Sequence, residues 1–260
     1  FGHYVMRLSE LDEETREADA AVRGTVVHDI LEAAVQPLVE ARQPISSATL
    51  PRLLEFLETE GERIWNAAPG AFGFGRSGLW RLQWPRVLGD LIALLNREAA
   101  FSSEHGIRRV VATEMKLNTI LPLDPPVTFG GSADRVDEGD GFIVVSDYKS
   151  GREIPRKEVS DARRVQLQLY GVAAMQAVDQ PAVIGRYVPL RPSKDSALWH
   201  IDSRADPAID DGLTAAQAVL DRVAARSFYV NPTPTACPSY CAFIRACRVN
   251  QFSRSKWSDA

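Results

Sequence analysis

Apolar residues recur at helical spacing through the first part of the chain. Residues 18–41, ADAAVRGTVVHDILEAAVQPLVEA, predict a helix on that pattern, 49–66 a second, and 80–105 a third, longer one. Between the last two, APGAFGFGRSG (68–78) is glycine-rich and reads as a loop. The period then changes from helical to alternating. RRVVATEMKLNTI (108–120), VTFGGSADRVD (127–137) and FIVVSDYK (142–149) read as strands. EGDG (138–141) is a turn signal, which makes 127–149 a hairpin. A helix over 157–178 follows, then a strand at 182–190, a turn at 191–196 and a partner strand at 197–202. Residues 206–226 predict a further helix, and the chain from Asn231 is proline-rich, cysteine-bearing and irregular. Neither an internal repeat nor a low-complexity segment interrupts this order. Helices, then three strands, a helix and a strand predict an α/β fold with a central mixed sheet flanked by helices.

The third strand ends unusually. After the apolar run Phe142 to Val145, FIVVSDYKSG carries Asp147, Tyr148 and Lys149. Strand alternation sends Asp147 and Lys149 to one face and Tyr148 to the other. A turn centred on Gly139-Asp140 would put Ser132 opposite Asp147 and Asp134 on its diagonal, about 7–8 Å away and on the same face. Two carboxylates meeting there repel and call for a cation between them. Two acids and a lysine at a sheet end suit phosphodiester hydrolysis with Mg2+ or Mn2+, hard cations that take oxygen ligands. Asp-x-Lys by itself reads more readily as a solvated hairpin end.

Other polar residues fall at spacings that add to this. In RGTVVHDILE, Gly24 and His28 are one helical turn apart, so Gly24 allows close backbone approach and His28 is a candidate metal ligand. In VQLQLYG, Gln166 and Tyr170 are spaced likewise on the helix after the Asp-Tyr-Lys strand. Taken singly, each pair is ordinary helix surface. Glu114, on the first strand, is a candidate to support a second metal or a water.

In order along the chain, RGTVVHDILE, GGSADRVDEGDGFIVVSDYKSG and QLQLYGVAA resemble the PD-(D/E)XK nuclease superfamily, specifically its RecB/AddB type. The resemblance implies the restriction-endonuclease-like core, with a helical N-terminal insertion over about 42–107. It implies a nuclease domain over 1–230 and a cysteine tail over 231–260. It assigns His28, Asp134, Asp147 and the Tyr148 carbonyl to the metal, Lys149 as catalytic lysine, and Gln166 and Tyr170 as the pair that positions phosphate and lysine. One departure is that Asp134 follows GGSA rather than a proline, as in the RecB-type subgroup. The implied activity is sequence-nonspecific, Mg2+- or Mn2+-dependent DNA cleavage, exonucleolytic on single strands, in double-strand break repair. The implied partners are DNA and a helicase motor or helicase–nuclease subunit. Alternatives are a non-catalytic DNA-binding module of the same fold and a CRISPR-associated adaptation nuclease.

Composition narrows the picture little. Of 260 residues, 45% are hydrophobic and 25% charged, with a formal net charge of -4. That is ordinary for a globular chain and unlike a strongly basic nucleic-acid binder. Arg152, Arg156, Lys157, Arg163 and Arg164 nonetheless cluster after the Asp-Tyr-Lys strand. Arg245, Arg248, Arg254 and Lys256 form a second run. Each reads as a phosphate contact or as a solvated face balanced by local acids. Phe72, Phe74, Trp80 and Trp84 are candidates for base stacking or, on helical spacing, for core.

No apolar run is long enough for a membrane span, and no signal peptide is visible, so a cytoplasmic protein is expected. Cys237, Cys241 and Cys247 form an odd, tight cluster that argues for a metal site in a reducing compartment rather than for disulfides. By resemblance it is similar to the tail that holds a [4Fe-4S] cluster in a subset of these nucleases, with a first interval one residue longer. The fourth cysteine is then expected upstream of Phe1, in a longer polypeptide. The alternative is bound zinc, with His3 or His200 as fourth ligand.

Overall fold

The computed structural model describes residues 20–73, 77–151, 153–161, 164–192, 201 and 207–227. Residues 15–218 form one compact unit. Residues 1–14 and 219–260 group as a second, of which only 219–227 are described. Cys237, Cys241 and Cys247, the second basic run, His3 and His200 lie outside the described residues.

The helical layer comes first. Helix α1 is Ala20–Ala41, and its stripe of Val26, Val27, Ile30, Leu31, Ala34, Val35 and Leu38 is buried. The helix predicted at 49–66 is α2 (Leu50–Phe56), a π-turn at Leu57–Gly61 and α3 (Glu62–Phe72), run together. The loop expected over 68–78 needs correcting, because α3 continues through Pro69 to Phe72. Proline at 69 deprives the Trp65 carbonyl of its helical donor. Trp80 Nε1 donates to that carbonyl instead, at 2.7 Å, and Trp65 Nε1 donates to the Trp80 carbonyl at 3.1 Å. The two indoles stack at 3.9 Å and 10°. Gly73 ends α3 in the left-handed region, with φ of 70°. The same bonds break the long helix predicted at 80–105. A short α4 (Ser77–Arg81) ends where the Trp80 carbonyl turns to Trp65, and α5 (Trp84–His105) restarts with proline in its first turn. Trp80 and Trp84 are 2% and 5% exposed, so they are core and have no face to offer a base. Phe72 is exposed, and Phe74 lies outside the described residues.

Four strands follow the prediction closely: β1 (Arg109–Leu121), β2 (Val127–Glu138), β3 (Ile143–Lys149) and β4 (Val183–Pro189). They lie in the order β1-β2-β3-β4. The first three are antiparallel neighbours, and β4 runs parallel to β3. Ile201, the described residue of the partner strand predicted at 197–202, bridges Gly185. The hairpin register differs from expectation. Arg135 pairs with Ser146 and Glu138 with Ile143, and the Gly139 N–H closes on the Phe142 carbonyl at 2.9 Å. The turn is therefore Asp140-Gly141, because the positive φ of 80° falls on Gly141. Ser132 does not face Asp147; it pairs with Lys116 of β1. Continued one step, the ladder sets Asp134 directly across from Asp147 rather than on its diagonal. The shift is two residues, so every side chain keeps its predicted face.

The parallel connection uses two helices where one was predicted over 157–178: α6 (Arg156–Ser160) and α7 (Gln166–Val178). The break is stabilised locally. Gln168 Nε2 donates to the Val159 carbonyl at 3.0 Å, and the Arg164 N–H donates to the Glu158 carbonyl at 3.0 Å. As a result Gln166 opens a helix rather than sitting inside one. Helix α8 is Pro207–Ala224. Helices α1, α2, α3 and α5 share one core with Tyr148, Val188 and Leu190. Helix α7 shares another with Val136, Ile143, Val145 and Val183, on the other face of the sheet. The sheet is thus covered on both faces, with a mixed strand pattern at its centre.

The Trp65–Trp80 exchange is directly testable. Trp80→Phe keeps most of the buried area but strips the donor from the Trp65 carbonyl. The expected cost is about 2 kcal/mol of folding stability, read as a lower midpoint in urea unfolding.

Candidate metal centre

Three elements converge at the end of β3. Helix α1 approaches closely because Gly24 has no side chain; a Cβ there would come within 3.0 Å of Ser150 Oγ. One turn on, His28 Nε2 donates to the Tyr148 carbonyl at 3.0 Å. That bond orients the ring so that Nδ1 faces Asp134 Oδ2, 3.5 Å away. The Tyr148 N–H donates to the same Asp134 oxygen at 2.6 Å. Tyr148 therefore ties His28 and Asp134 together through its backbone.

Glu114 joins them from β1. Ligand atoms of His28, Glu114 and Asp134 all lie within 4.8 Å of one another. Ligands of a Mg2+-sized ion stand about 3–4 Å apart, so small side-chain shifts would close the set on a cation. The Glu114 backbone is unusual, with φ of 45° in a strand residue that is not glycine. Such conformations persist where surrounding structure enforces them. Here the neighbours Thr113 and Met115 are held by pairing to Arg135 and Ala133. Ser132 Oγ donates to Glu114 Oε2 at 2.9 Å, and Lys116 Nζ donates to Ser132 Oγ at 3.2 Å. The sequence offered no sign of the backbone twist. A cleft of about 630 Å3 opens beside the cluster, lined in part by His28, Asp29, Glu32, Glu114 and Lys116.

The second acid behaves differently. Asp147 is buried and forms an ion pair with Lys149, whose side chain is 27% exposed against 3% for Asp147. Apart from that pair, Asp147 Oδ2 has no hydrogen-bond partner among the described residues. Gln166, at the start of α7, hydrogen-bonds the same carboxylate. The Lys149 ammonium also lies 5.2 Å from the centre of the Tyr187 ring. Tyr170 is placed elsewhere. It covers Gly131, where a Cβ would meet its ring at 2.7 Å, and meets Phe129 edge-on at 5.9 Å. The structure thus brings Gln166 to Asp147 and sets Tyr170 against β2.

Burial pushes the Asp134 carboxyl up to about 6, helped by the charges of Asp147 and Glu114 and opposed by His28 and the Tyr148 N–H. Burial also raises Asp147, against the pull of Lys149. A half-buried and a buried acid that both resist ionisation, with an imidazole nitrogen directed at the first and Glu114 beside it, are a donor set that a cation would complete. A hard divalent cation fits it, with oxygen and imidazole ligands.

Two members of the basic run beside this site pair with nearby acids. Lys157 pairs with Asp161 at 3.2 Å, and Arg164 with Glu158 at 2.8 Å. Arg152 and Arg163 lie outside the described residues.

A family model for the PD-(D/E)XK nuclease superfamily matches residues 1–248. The chain belongs to this superfamily. No curated protein matches it at a significant level. Membership agrees with the mixed sheet and its helical cover. It implies a nuclease that uses divalent metal ions on nucleic acid. No helix among the described residues is long and apolar enough to cross a membrane.

A stability measurement tests the electrostatics of the site. Because the folded state raises the Asp134 pKa, it binds more protons than the unfolded chain between about pH 4 and pH 6, and loses stability as pH rises through that range. In metal-free protein, Asp134→Asn should therefore raise Tm at about pH 7 by roughly 5 °C, and by nearly nothing at about pH 4. Calorimetry of both proteins in chelator at the two pH values reads this out.

Proposed function

We propose that this chain is a RecB/AddB-type nuclease domain that hydrolyses DNA phosphodiesters without sequence specificity, as an exonuclease on single strands. The observation that carries it is the ordered set of residues meeting at one strand end: His28, Asp134 and Glu114 on one side, Asp147, Lys149 and Gln166 on the other. Bound Mg2+ or Mn2+ would supply charge to the phosphate and lower the pKa of a water.

The chain's own residues do the rest. His28, Asp134, Glu114 and Asp147, with the Tyr148 carbonyl, would hold the cation. Lys149 is the one member of its ion pair that reaches solvent, so its ammonium can turn from Asp147 to a water or to the charge that builds on the phosphate oxygens. Gln166 keeps Asp147 oriented while Lys149 moves. Tyr170 bears on substrate only through the β2 surface that it covers. Substrate enters by the cleft at Glu114 and Lys116, where an acidic lining repels phosphate until cations are present.

The wider context of this reading is double-strand break repair beside a helicase motor, in the cytoplasm. In it, residues 231–260 act as a cysteine tail whose Cys237, Cys241 and Cys247 hold a [4Fe-4S] cluster. These elements rest on the resemblance of the motifs. Blue-region absorbance of the purified protein, against a colourless zinc-containing one, decides the cluster.

Asp147→Ala and Lys149→Ala should each lower Mn2+-dependent degradation of end-labelled single-stranded DNA by about 10^2–10^4-fold, with circular dichroism unchanged. A folded Asp147→Ala protein that cleaves at the native rate would sink the proposal. Retained DNA binding with no cleavage by the native chain would favour the binding-module alternative.

A further inference from the structure

Behind the metal centre, on the opposite face of β3, lies a buried set of charges that no metal touches. Glu98 of α5 accepts from Arg135 Nη2 and from Arg186 Nη2 through one carboxylate oxygen. Arg135 Nε donates to Asp137 at 2.9 Å, and its Nη1 donates to the Tyr148 hydroxyl. Arg186 Nε donates to Ser146 Oγ at 3.0 Å, and its guanidinium lies 3.7 Å from the centre of the Phe101 ring. Glu98, Arg135, Asp137, Ser146 and Arg186 are all buried.

Arg135 directly follows Asp134, and Tyr148 directly follows Asp147. One guanidinium therefore grips both acid-bearing strands from behind. Tyr148 is where the grip reaches the metal centre. Its hydroxyl is fixed by Arg135, its N–H holds Asp134 and its carbonyl takes the His28 proton.

We propose that Arg135 is a positioning residue of the metal centre, acting through the Tyr148 side chain to fix the backbone atoms that orient Asp134 and His28. The inference rests on the proposed metal-dependent reading of this site. Groups that orient metal ligands from behind typically account for a tenfold to hundredfold change in metal affinity. Removing the link should loosen the ligands without deleting any of them.

Tyr148→Phe removes the hydroxyl and keeps the ring, the backbone and every ligand. In the full chain, Mn2+ titrated by calorimetry should bind about tenfold more weakly than to the native protein. The Mn2+ concentration for half-maximal DNA cleavage should rise by a similar factor, with the rate at saturating Mn2+ largely recovered. Trp80→Phe is the control, because it weakens the helical core through the Trp65 bond and leaves the Tyr148 hydroxyl and its Arg135 bond in place. It should lower Tm while leaving Mn2+ affinity as in the native chain. Native Mn2+ affinity in Tyr148→Phe, or an equal loss in Trp80→Phe, would overturn the positioning role while leaving the metal centre standing. A native chain that takes up no Mn2+ would overturn the metal-centre reading and this inference with it.

Discussion

A single buried carboxylate decides how the two halves of the molecule meet. Glu98 sits on the core face of α5 and neutralises two guanidiniums, one from β2 and one from β4. Burial opposes its charge, yet Arg186 and Arg135 hold its pKa below the usual carboxylate value, so it stays ionised. Asp137 completes the balance, with two acids against two arginines. Such networks contribute little net stability compared with apolar packing, since desolvating each charge costs several kcal/mol. What they do supply is registration. A guanidinium buried at Arg135 tolerates few positions of α5 or β4, because each slip leaves a charge without a partner. The helical layer and the central strands are thereby locked to one another before any ligand is considered.

That lock is needed because the site in front of it is unfavourable by itself. Asp134 and Asp147 lie across from each other with their ionisation resisted by burial, and Glu114 adds a third acid from a strained backbone. A sheet free to relax would separate them or admit water. The fold prevents both. Helix α1 closes one side through Gly24, α7 closes another through Gln166, and the Arg135–Tyr148 contact holds the strands from behind. Stability given up at the acids is offset in the apolar layers, where the Trp65–Trp80 pair and the α1 stripe are nearly dry.

Much of this was legible in the sequence, for a physical reason. Strand alternation is insensitive to a register error of two residues. The turn belongs to Asp140-Gly141 rather than Gly139-Asp140, yet Asp134 still shares a face with Asp147. Gly24 and His28 could be read because each is a small or polar residue on a helix whose pattern was unambiguous, whereas Gln166 reads as lying inside a helix that it in fact opens. The breaks were harder. Pro69 looked like the start of a loop because the donor that rescues the Trp65 carbonyl lies on another helix. Glu98 carried a sign of its own: it falls in the stripe Leu91, Leu94, Leu95, Phe101, where a charge has no business without a partner. Its partners, Arg135 and Arg186, stand 37 and 88 residues away, beyond any local pattern. The Glu114 twist left no trace in residue type at all.

Strand period also explains why Tyr148 can serve both faces. In Asp147-Tyr148-Lys149 the two reactive side chains point one way and the tyrosine the other. Its ring is anchored among the helices while its backbone N–H and carbonyl lie at the edge where the acids meet. A residue with a short side chain there would leave the peptide planes on either side of it free to rock, and Asp134 and His28 would rock with them. An inserted residue would be worse, since it would turn Asp147 toward the helical core and Tyr148 toward the α7 face. The chemistry thus depends on two acids and a lysine, and equally on the buried side chain between them, which keeps the strand from turning.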